Sequence, residues 1–436
     1  MIRWQRLAAP SLVLMLILAA CSSGNTPASS GAGGSGAAGG KLGGKVTVIG
    51  TWGGDEEKAF LAMVKPFEDQ TGVDVQYTGT RDLNAVLTTG VQSGVLPDLA
   101  GLPGPGQMEE FAKAGALKPL DGVLDIAKYK DQTAKALVDL GTVNGKVVGV
   151  FIKTAVKGLM WYDPKVVDYS TAPKTWDDLQ AQLKANASKA SAAWCVGLES
   201  GAASGWPGTD WIEDFVLRQS GPDKYKQWYQ GKLKWSSPEI KQAFQSFGDV
   251  VKQGAVYGGP STVATTNFAN AGDPLFKSPP GCQLLHQASF ITGLGGFKGK
   301  KAGTDYNFFP FPDINPTYAG AVEGAGDLFG MFNDTPQAKA LIKYLVTPEA
   351  QAIWVKIGGA LSANKAVTDY PDDIAKRSAE LLQKAKIFAF DASDLMPNAM
   401  NNAFFSAILN FTKDQSKLDS ILADLDKAQT DAYAAQ

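Results

Sequence analysis

A strand, an amphipathic helix and a second strand follow one another within about thirty residues, and this unit constrains the fold more than any other feature of the chain. Lys45-Val46-Thr47-Val48-Ile49 alternates as a short strand. A Gly53-Gly54 turn and the acidic run Asp55-Glu56-Glu57 open a helix. Its Phe60, Met63, Val64 and Phe67 share one face at i, i+3, i+4 and i+7. Gly72 stops the helix, and Val73, Val75 and Tyr77 mark the next strand. Such a βαβ unit requires parallel strands and a right-handed crossover, so the expected class is α/β.

Composition narrows the function. The 436 residues are 44% hydrophobic and 19% charged, which suits a globular protein of about two domains at roughly 150 residues each. Lys+Arg number 41 against Asp+Glu 43, so no basic excess exists to neutralise a phosphate backbone, and no nucleic-acid partner is expected. One His and three Cys are too few for a clustered zinc site, so neither metal nor cofactor is expected. A Ser-His-Asp triad would depend on that single histidine, and no G-x-S-x-G occurs. Gly39 to Lys45 spells G-x-x-x-x-G-K, but Val46 stands where a phosphate loop needs Ser or Thr, and the motif precedes its strand.

Helix starts recur downstream at Ser237-Pro238-Glu239, Thr335-Pro336 and Thr347-Pro348-Glu349, each an N-cap before a first-turn proline. Thr175 with Asp178 resembles a capping box, and Leu418, Ile421, Leu422 and Leu425 form an apolar stripe. No linker-like break separates residues 45 and 436, which points to two domains joined by several ordered crossings.

Arg3 and Arg6 precede an apolar run, Leu7 to Ala20, shorter than the roughly 20 residues of a spanning helix. Residues 1–20 read as a secretory signal peptide. Its end, Leu18-Ala19-Ala20-Cys21, resembles the lipobox of bacterial lipoproteins. That implies cleavage before Cys21 and lipidation of it; a plain signal with an incidental Cys is the alternative. Residues 21–44, rich in Gly, Ala and Ser, form a flexible tether to the outer face of the cell membrane or the periplasm. Export permits disulfides. With Cys21 lipidated, Cys195 and Cys282 are expected to bond to each other, two separate buried thiols being the alternative.

A series of segments then runs in a characteristic order. Val48-Ile49-Gly50-Thr51-Trp52-Gly53-Gly54-Asp55 is followed by Phe67-Glu68-Asp69-Gln70-Thr71-Gly72-Val73-Asp74-Val75, Pro97-Asp98-Leu99 and Gly115-Ala116-Leu117-Lys118-Pro119-Leu120. Ala155-Val156-Lys157-Gly158-Leu159-Met160-Trp161-Tyr162-Asp163, the stretch Glu199 to Trp211, Cys282 to Phe290, and Met396-Pro397-Asn398 with Phe404-Phe405 complete it. From about residue 45 to 436 the chain resembles the sugar-binding solute receptors of bacterial ABC transporters, the family that includes maltose-binding protein, and its α-glucoside-binding branch in particular.

The resemblance implies a two-lobed periplasmic-binding-protein fold with several inter-lobe strand crossings and a central ligand cleft. One lobe would take 45–154 plus 322–358, the other 155–321 plus 359–436. The receptor would be a monomer that captures a di- or oligosaccharide, closes by hinge rotation, and presents it to permease subunits served by a cytoplasmic ATPase.

Sugars are held by aromatic rings on their C–H faces and by charged or amide groups on their hydroxyls. Trp52 and Asp55 lie in the loop after the first strand, facing the crevice of a parallel sheet. Trp52 reads as a stacking platform, Asp55 as a hydroxyl ligand or a helix cap. Arg81 offers a fork of donors, or a surface ion pair with Asp82 or Glu68. Asp98 reads as structural. Lys153 and Lys157 lie on or near the crossing strand, and maltose-type receptors carry a carboxylate near the Lys157 position. Glu199 and Trp206 fall in the segment most like the α-glucoside branch. Asp210 reads as a cap or a ligand group, and Trp211 as helix packing. His286 reads either as a core residue or, with Gln287, as a ligand contact. Glu323 and Asp327 flank the strand expected to cross back and read as cleft carboxylates or as acids that stabilise the hinge, and Phe405 matches a stacking aromatic of the family, core packing being the alternative. A secreted glycosidase or lyase is the rival class, and a receptor for a non-sugar solute the second. Residues i and i+4 on a strand stand about 13 Å apart, outside either glycosidase carboxylate spacing, so Glu323 and Asp327 do not form such a pair.

Overall fold

Alternating hydrophobic segments assemble into two main sheets and a small two-stranded one in the computed structural model, which describes residues 41–434. The signal segment, Cys21 and most of the tether lie outside the described residues. β1 (Lys45–Gly50), β2 (Asp74–Gly79) and β3 (Leu99–Leu102) pair in parallel, with β1 in the middle. The linking helix, Asp55–Thr71, buries Phe60, Met63, Val64 and Phe67 and ends at Gly72 in the left-handed conformation, as its spacing predicts. Asp98, just ahead of β3, accepts hydrogen bonds from the Thr47 N–H and hydroxyl, both at 2.8 Å, and so ties the loop to β1.

After a small hairpin, β4 (Thr142–Val143) with β5 (Lys146–Val147), the chain enters β6 (Gly149–Val156). β6 lies antiparallel to one edge of the long strand β11 (Ala321–Met331), whose other edge pairs with β3 and with β12 (Ile387–Phe390). The second sheet has the order β10 (Asn307–Pro310), β7 (Leu159–Tyr162), β9 (Cys282–Gln287), β8 (Ala192–Cys195).

These pairings make the chain cross between sheets repeatedly. β6 in the first sheet runs through Lys157 and Gly158 straight into β7 of the second. Gly158 has φ +66°, and a Cβ there would stand 2.3 Å from the Asp214 carboxylate, so the crossing requires glycine. β10 leads back to β11, and β12 leads on to helices packed over the second sheet. The fold is thus the two-lobed α/β architecture with strand crossings that the segment order implies.

Each lobe has its own core. Val46, Phe60, Phe329 and Trp354 are buried in the first. Trp211, Phe215, Trp228, Phe244 and Phe404 centre the second, with Leu418, Ile421, Leu422 and Leu425 buried along the last helix. Thr335 and Thr347 cap their helices by accepting from the Ala338 and Ala350 N–H groups, and Thr175 with Asp178 forms a complete capping box. Ser237 precedes its helix without a side-chain cap bond. No helix among the described residues is long and apolar enough to cross a membrane.

Cys195 of β8 and Cys282 of β9 are joined as a disulfide, with Cα atoms 5.6 Å apart. The bond closes a loop spanning a sequence separation of 87 residues. Loop-closure entropy assigns such a link about 4–5 kcal/mol. Replacing both cysteines by serine is expected to lower unfolding free energy by about 2–5 kcal/mol in urea titrations. A loss below about 1 kcal/mol would show that the two adjacent strands confine the unfolded chain little more when bonded.

Candidate functional site

Where the crossing strands meet, both lobes contribute to one cavity. Its walls come from the loop after β1, from Arg81 and Asn84, from Lys153 on β6, from Asp327 on β11, from the start of the helix Trp206–Tyr229, and from the segment Asp391 to Phe405. The space open to the centre of a water-sized sphere is about 160 Å³.

Two buried lysines govern its electrostatics. Lys153, 4% exposed, donates to Glu56 at 2.9 Å and stands 3.5 Å from Asp327. Burial alone would pull its ammonium down, but Glu56 and Asp327 outweigh burial and hold it above the ordinary lysine range. Lys157 donates to both oxygens of Asp210, at 2.8 and 2.9 Å, and to Asp391 at 2.9 Å. Its ammonium also lies 4.9 Å from the Trp206 ring centre, within cation–π range. Arg81 reaches across the mouth, 3.6 Å from Glu56, with its guanidinium 4.9 Å from the Phe268 ring centre in the other lobe.

Two glycines set the aromatic wall. Gly201 lies against Arg81, and Gly205 has φ +113° with Phe405 carbonyl oxygen 2.4 Å from where its Cβ would be. That close approach brings Trp206 and Phe405, both half-buried, onto the same cavity. Trp206 is braced edge-on by Phe268 at 5.1 Å, and its indole N–H has no protein acceptor.

Eight of the residues singled out from sequence line this cavity: Trp52, Arg81, Lys153, Lys157, Trp206, Asp210, Asp327 and Phe405. Trp52 does so largely as a core residue, only 2% exposed, with Trp354, Phe60 and Phe329 rings 4.8, 5.2 and 6.0 Å away. The adjacent glycines do not keep it in solvent, because its ring packs among Phe60, Phe329 and Trp354 in the core of the first lobe. Arg81 pairs with Glu56, not with Asp82 or Glu68.

The other five stand elsewhere, each for a visible reason. Asp55 starts its helix and turns to Lys58 and Lys298, at 3.2 and 2.7 Å; the Lys298 pair spans the two lobes outside the cavity. Lys298 in particular holds the Asp55 carboxyl below its usual range. Glu199 accepts from the Gly201 N–H at 2.7 Å and from the Asn267 amide at 2.5 Å, so it organises its own loop. His286 is buried, bonded through Nε2 to Asp214 at 2.7 Å and stacked on Trp211 at 4.1 Å. Burial lowers its pKa against the pull of Asp214. Gln287 folds back so that its side-chain oxygen accepts from the Ala288 N–H. Glu323 is fully buried within the crossing strands.

Sequence reasoning missed Glu56, Asp391, Asp394 and Phe290 as cavity residues. Glu56 carried a usable signal: it precedes Phe60, Met63 and Phe67 by 4, 7 and 11 positions, which puts it on the buried face of its helix. Asp391 and Asp394 carried none, since they arrive only through the pairing of β12 with β11.

A model of the family described as bacterial extracellular solute-binding protein matches residues 62–384. The chain belongs to the bacterial extracellular solute-binding proteins. This solute-binding protein is 34% identical over 373 residues to the osmoprotective compounds-binding protein GgtB of Synechocystis sp., covering 84% of this chain and 88% of that one. It is also 34% identical over 400 residues to the alpha-glucosides-binding periplasmic protein AglE of Rhizobium meliloti, covering 88% and 87%. Its fold resembles that of a chitin oligosaccharide binding protein, with TM-score 0.78, 21% identity, and coverage of 89% and 99%. A maltose-bound MalE3 from T. maritima is similar at TM-score 0.70 and 21% identity, with coverage of 89% and 99%.

Replacing Lys153 by Met is expected to destabilise the solute-binding protein by about 3–5 kcal/mol, because Glu56 and Asp327 are left without their cation. Adding Glu56→Gln and Asp327→Asn should recover much of that loss in denaturant titrations. No recovery would show that packing of the lysine stem, not charge, dominates.

Proposed function

We propose that this protein is the substrate-binding component of an ABC sugar importer, capturing a di- or oligosaccharide, specifically an α-glucoside, by closure of its lobes. The observation that carries this reading is the cavity at the lobe crossing, where Trp206 and Phe405 stand beside Arg81, Lys157, Asp210 and Asp327. Aromatic faces suit sugar C–H surfaces, and fixed charges suit hydroxyls, with charge-assisted bonds roughly twice as strong as neutral ones. The name of the Rhizobium meliloti relative supports the α-glucoside class.

In this reading the lobes move as residues 45–154 plus 322–358 against 155–321 plus 359–436, with β12 at the hinge. Arg81 against Phe268 and Asp55 against Lys298 are the contacts made on closure. Lipidated Cys21 holds the monomeric receptor at the outer membrane face, and transmembrane permease subunits with a cytoplasmic ATPase receive the sugar. The protein binds without chemistry, since the Asp210 and Asp327 carboxylates are committed to lysines.

Isothermal titration against maltose, trehalose and cellobiose tests the reading. An α-linked disaccharide should give saturable heat, raise the melting temperature and be recovered unchanged, whereas cellobiose should bind weakly. Trp206→Ala should weaken binding about tenfold, or about 1.4 kcal/mol. No heat with any sugar, tight binding of an amino acid, or release of monosaccharide would each overturn the proposal.

A further inference from the structure

Glu56, Asp210, Asp327, Asp391 and Asp394 bring carboxylates to the inter-lobe cavity, and four of them are already engaged. Glu56 and Asp327 hold Lys153, at 2.9 and 3.5 Å. Asp210 and Asp391 hold Lys157, at 2.8 and 2.9 Å. The carboxylate of Asp394 accepts no hydrogen bond and makes no ion pair among the described residues. Neither of its oxygens is sealed from solvent, so the side chain opens onto the cavity.

Local structure explains why this acid stays unpartnered. Asp394 belongs to the short helix Ala392–Leu395, which begins directly after β12. Asp391 caps that helix by accepting from the Asp394 N–H at 3.1 Å, so the backbone of Asp394 is fixed while its side chain is not. The first lobe meets it with Gly104, ahead of the helix Pro105–Lys113. A Cβ on Gly104 would stand 3.8 Å from Asp394 Oδ1, so this neighbour brings no side chain to bond the carboxylate. Lys157 acts on Asp394 only through space, since its ammonium is held by the other two aspartates. Burial and the Asp391 charge push the Asp394 carboxyl well above its usual range, against the pull of Lys157.

A carboxylate drawn partly out of water, beside other carboxylates and without a donor, lowers stability. Such a cost persists where function needs the group. An ionised carboxylate offers acceptors alone, so its missing partner is a donor. The cations of the cavity do not serve: Lys153 and Lys157 are taken, and Arg81 faces Glu56 at 3.6 Å. We propose that Asp394 is the hydroxyl-binding acceptor of the cavity, bonding the sugar directly, while the carboxylates on Lys153 and Lys157 hold the walls in place. This inference rests on the sugar-receptor reading and adds a selection rule to it. A solute must bring hydrogen-bond donors to Asp394, which favours a neutral polyol over an anionic solute.

The test compares the purified protein with its Asp394→Asn variant, which keeps the side-chain shape and removes the charge. Thermal melts without ligand and isothermal titration with an α-linked disaccharide are the two readouts. Removing an unpartnered charge should raise the ligand-free melting temperature by a few degrees. Sugar affinity should fall about tenfold or more, because hydrogen bonds to charged groups are the strong ones. Monodeoxy analogues of the disaccharide locate the contact. At least one deoxygenation should weaken binding to wild type about tenfold and leave the affinity of Asp394→Asn unchanged. A lower melting temperature or failure to fold would mark Asp394 as an acid that serves the helix start, and would overturn the proposal. Undiminished sugar affinity in the variant, or equal deoxygenation losses in both proteins, would overturn it too. In those cases wild type still binds sugar and the receptor reading stands. No sugar heat with wild type would overturn both.

Discussion

Two ammonium groups taken out of water fix the centre of this molecule. Lys153 and Lys157 lie on or just beyond the strand that leaves the first sheet for the second, and both are almost fully buried. A buried cation is tolerated only when carboxylates surround it, and those carboxylates come from elements far apart in sequence. Glu56 is supplied by the first helix, Asp327 by the returning strand, Asp210 by the second lobe and Asp391 by the third crossing. Satisfying the two lysines therefore aligns the crossing strands and leaves a polar cavity between the lobes.

The aromatic side of the cavity follows from backbone geometry. Glycines at 201 and 205 let a tight loop deliver Trp206 at a helix start, close against the carbonyl of Phe405. Ion pairs fix one wall and ring packing fixes the other, so a ligand with both hydroxyls and C–H faces meets a preformed surface. Two of the contacts between lobes at the mouth, Arg81 on Phe268 and Asp55 to Lys298, are partly exposed, which suits a joint that opens and closes.

Much of this was legible in the chain itself. The period of Phe60, Met63, Val64 and Phe67, with Gly72 behind them, defined the first βαβ unit because helix and strand periods differ unmistakably. Proline-marked starts at Pro336 and Pro348 were legible because their caps are local chemistry. The cavity was only half legible. Trp206 and Phe405 could be placed from motif order, but His286 turned to Asp214 and Glu199 to Asn267, partners that only tertiary packing supplies, and Gln287 turned back to the Ala288 N–H. Asp391 was not legible because it reaches Lys157 only through the pairing of β12 with β11, whereas Glu56 lay in phase with the buried face of its helix and was legible in principle.

The most direct measurement is a crystal structure of the protein grown with a saturating α-linked glucose disaccharide. The account predicts sugar density in the inter-lobe cavity, with a pyranose face against Trp206 and Phe405 and hydroxyls on the groups around Lys153 and Lys157. Density for the sugar at another surface, or a cavity holding only water under saturation, would contradict it.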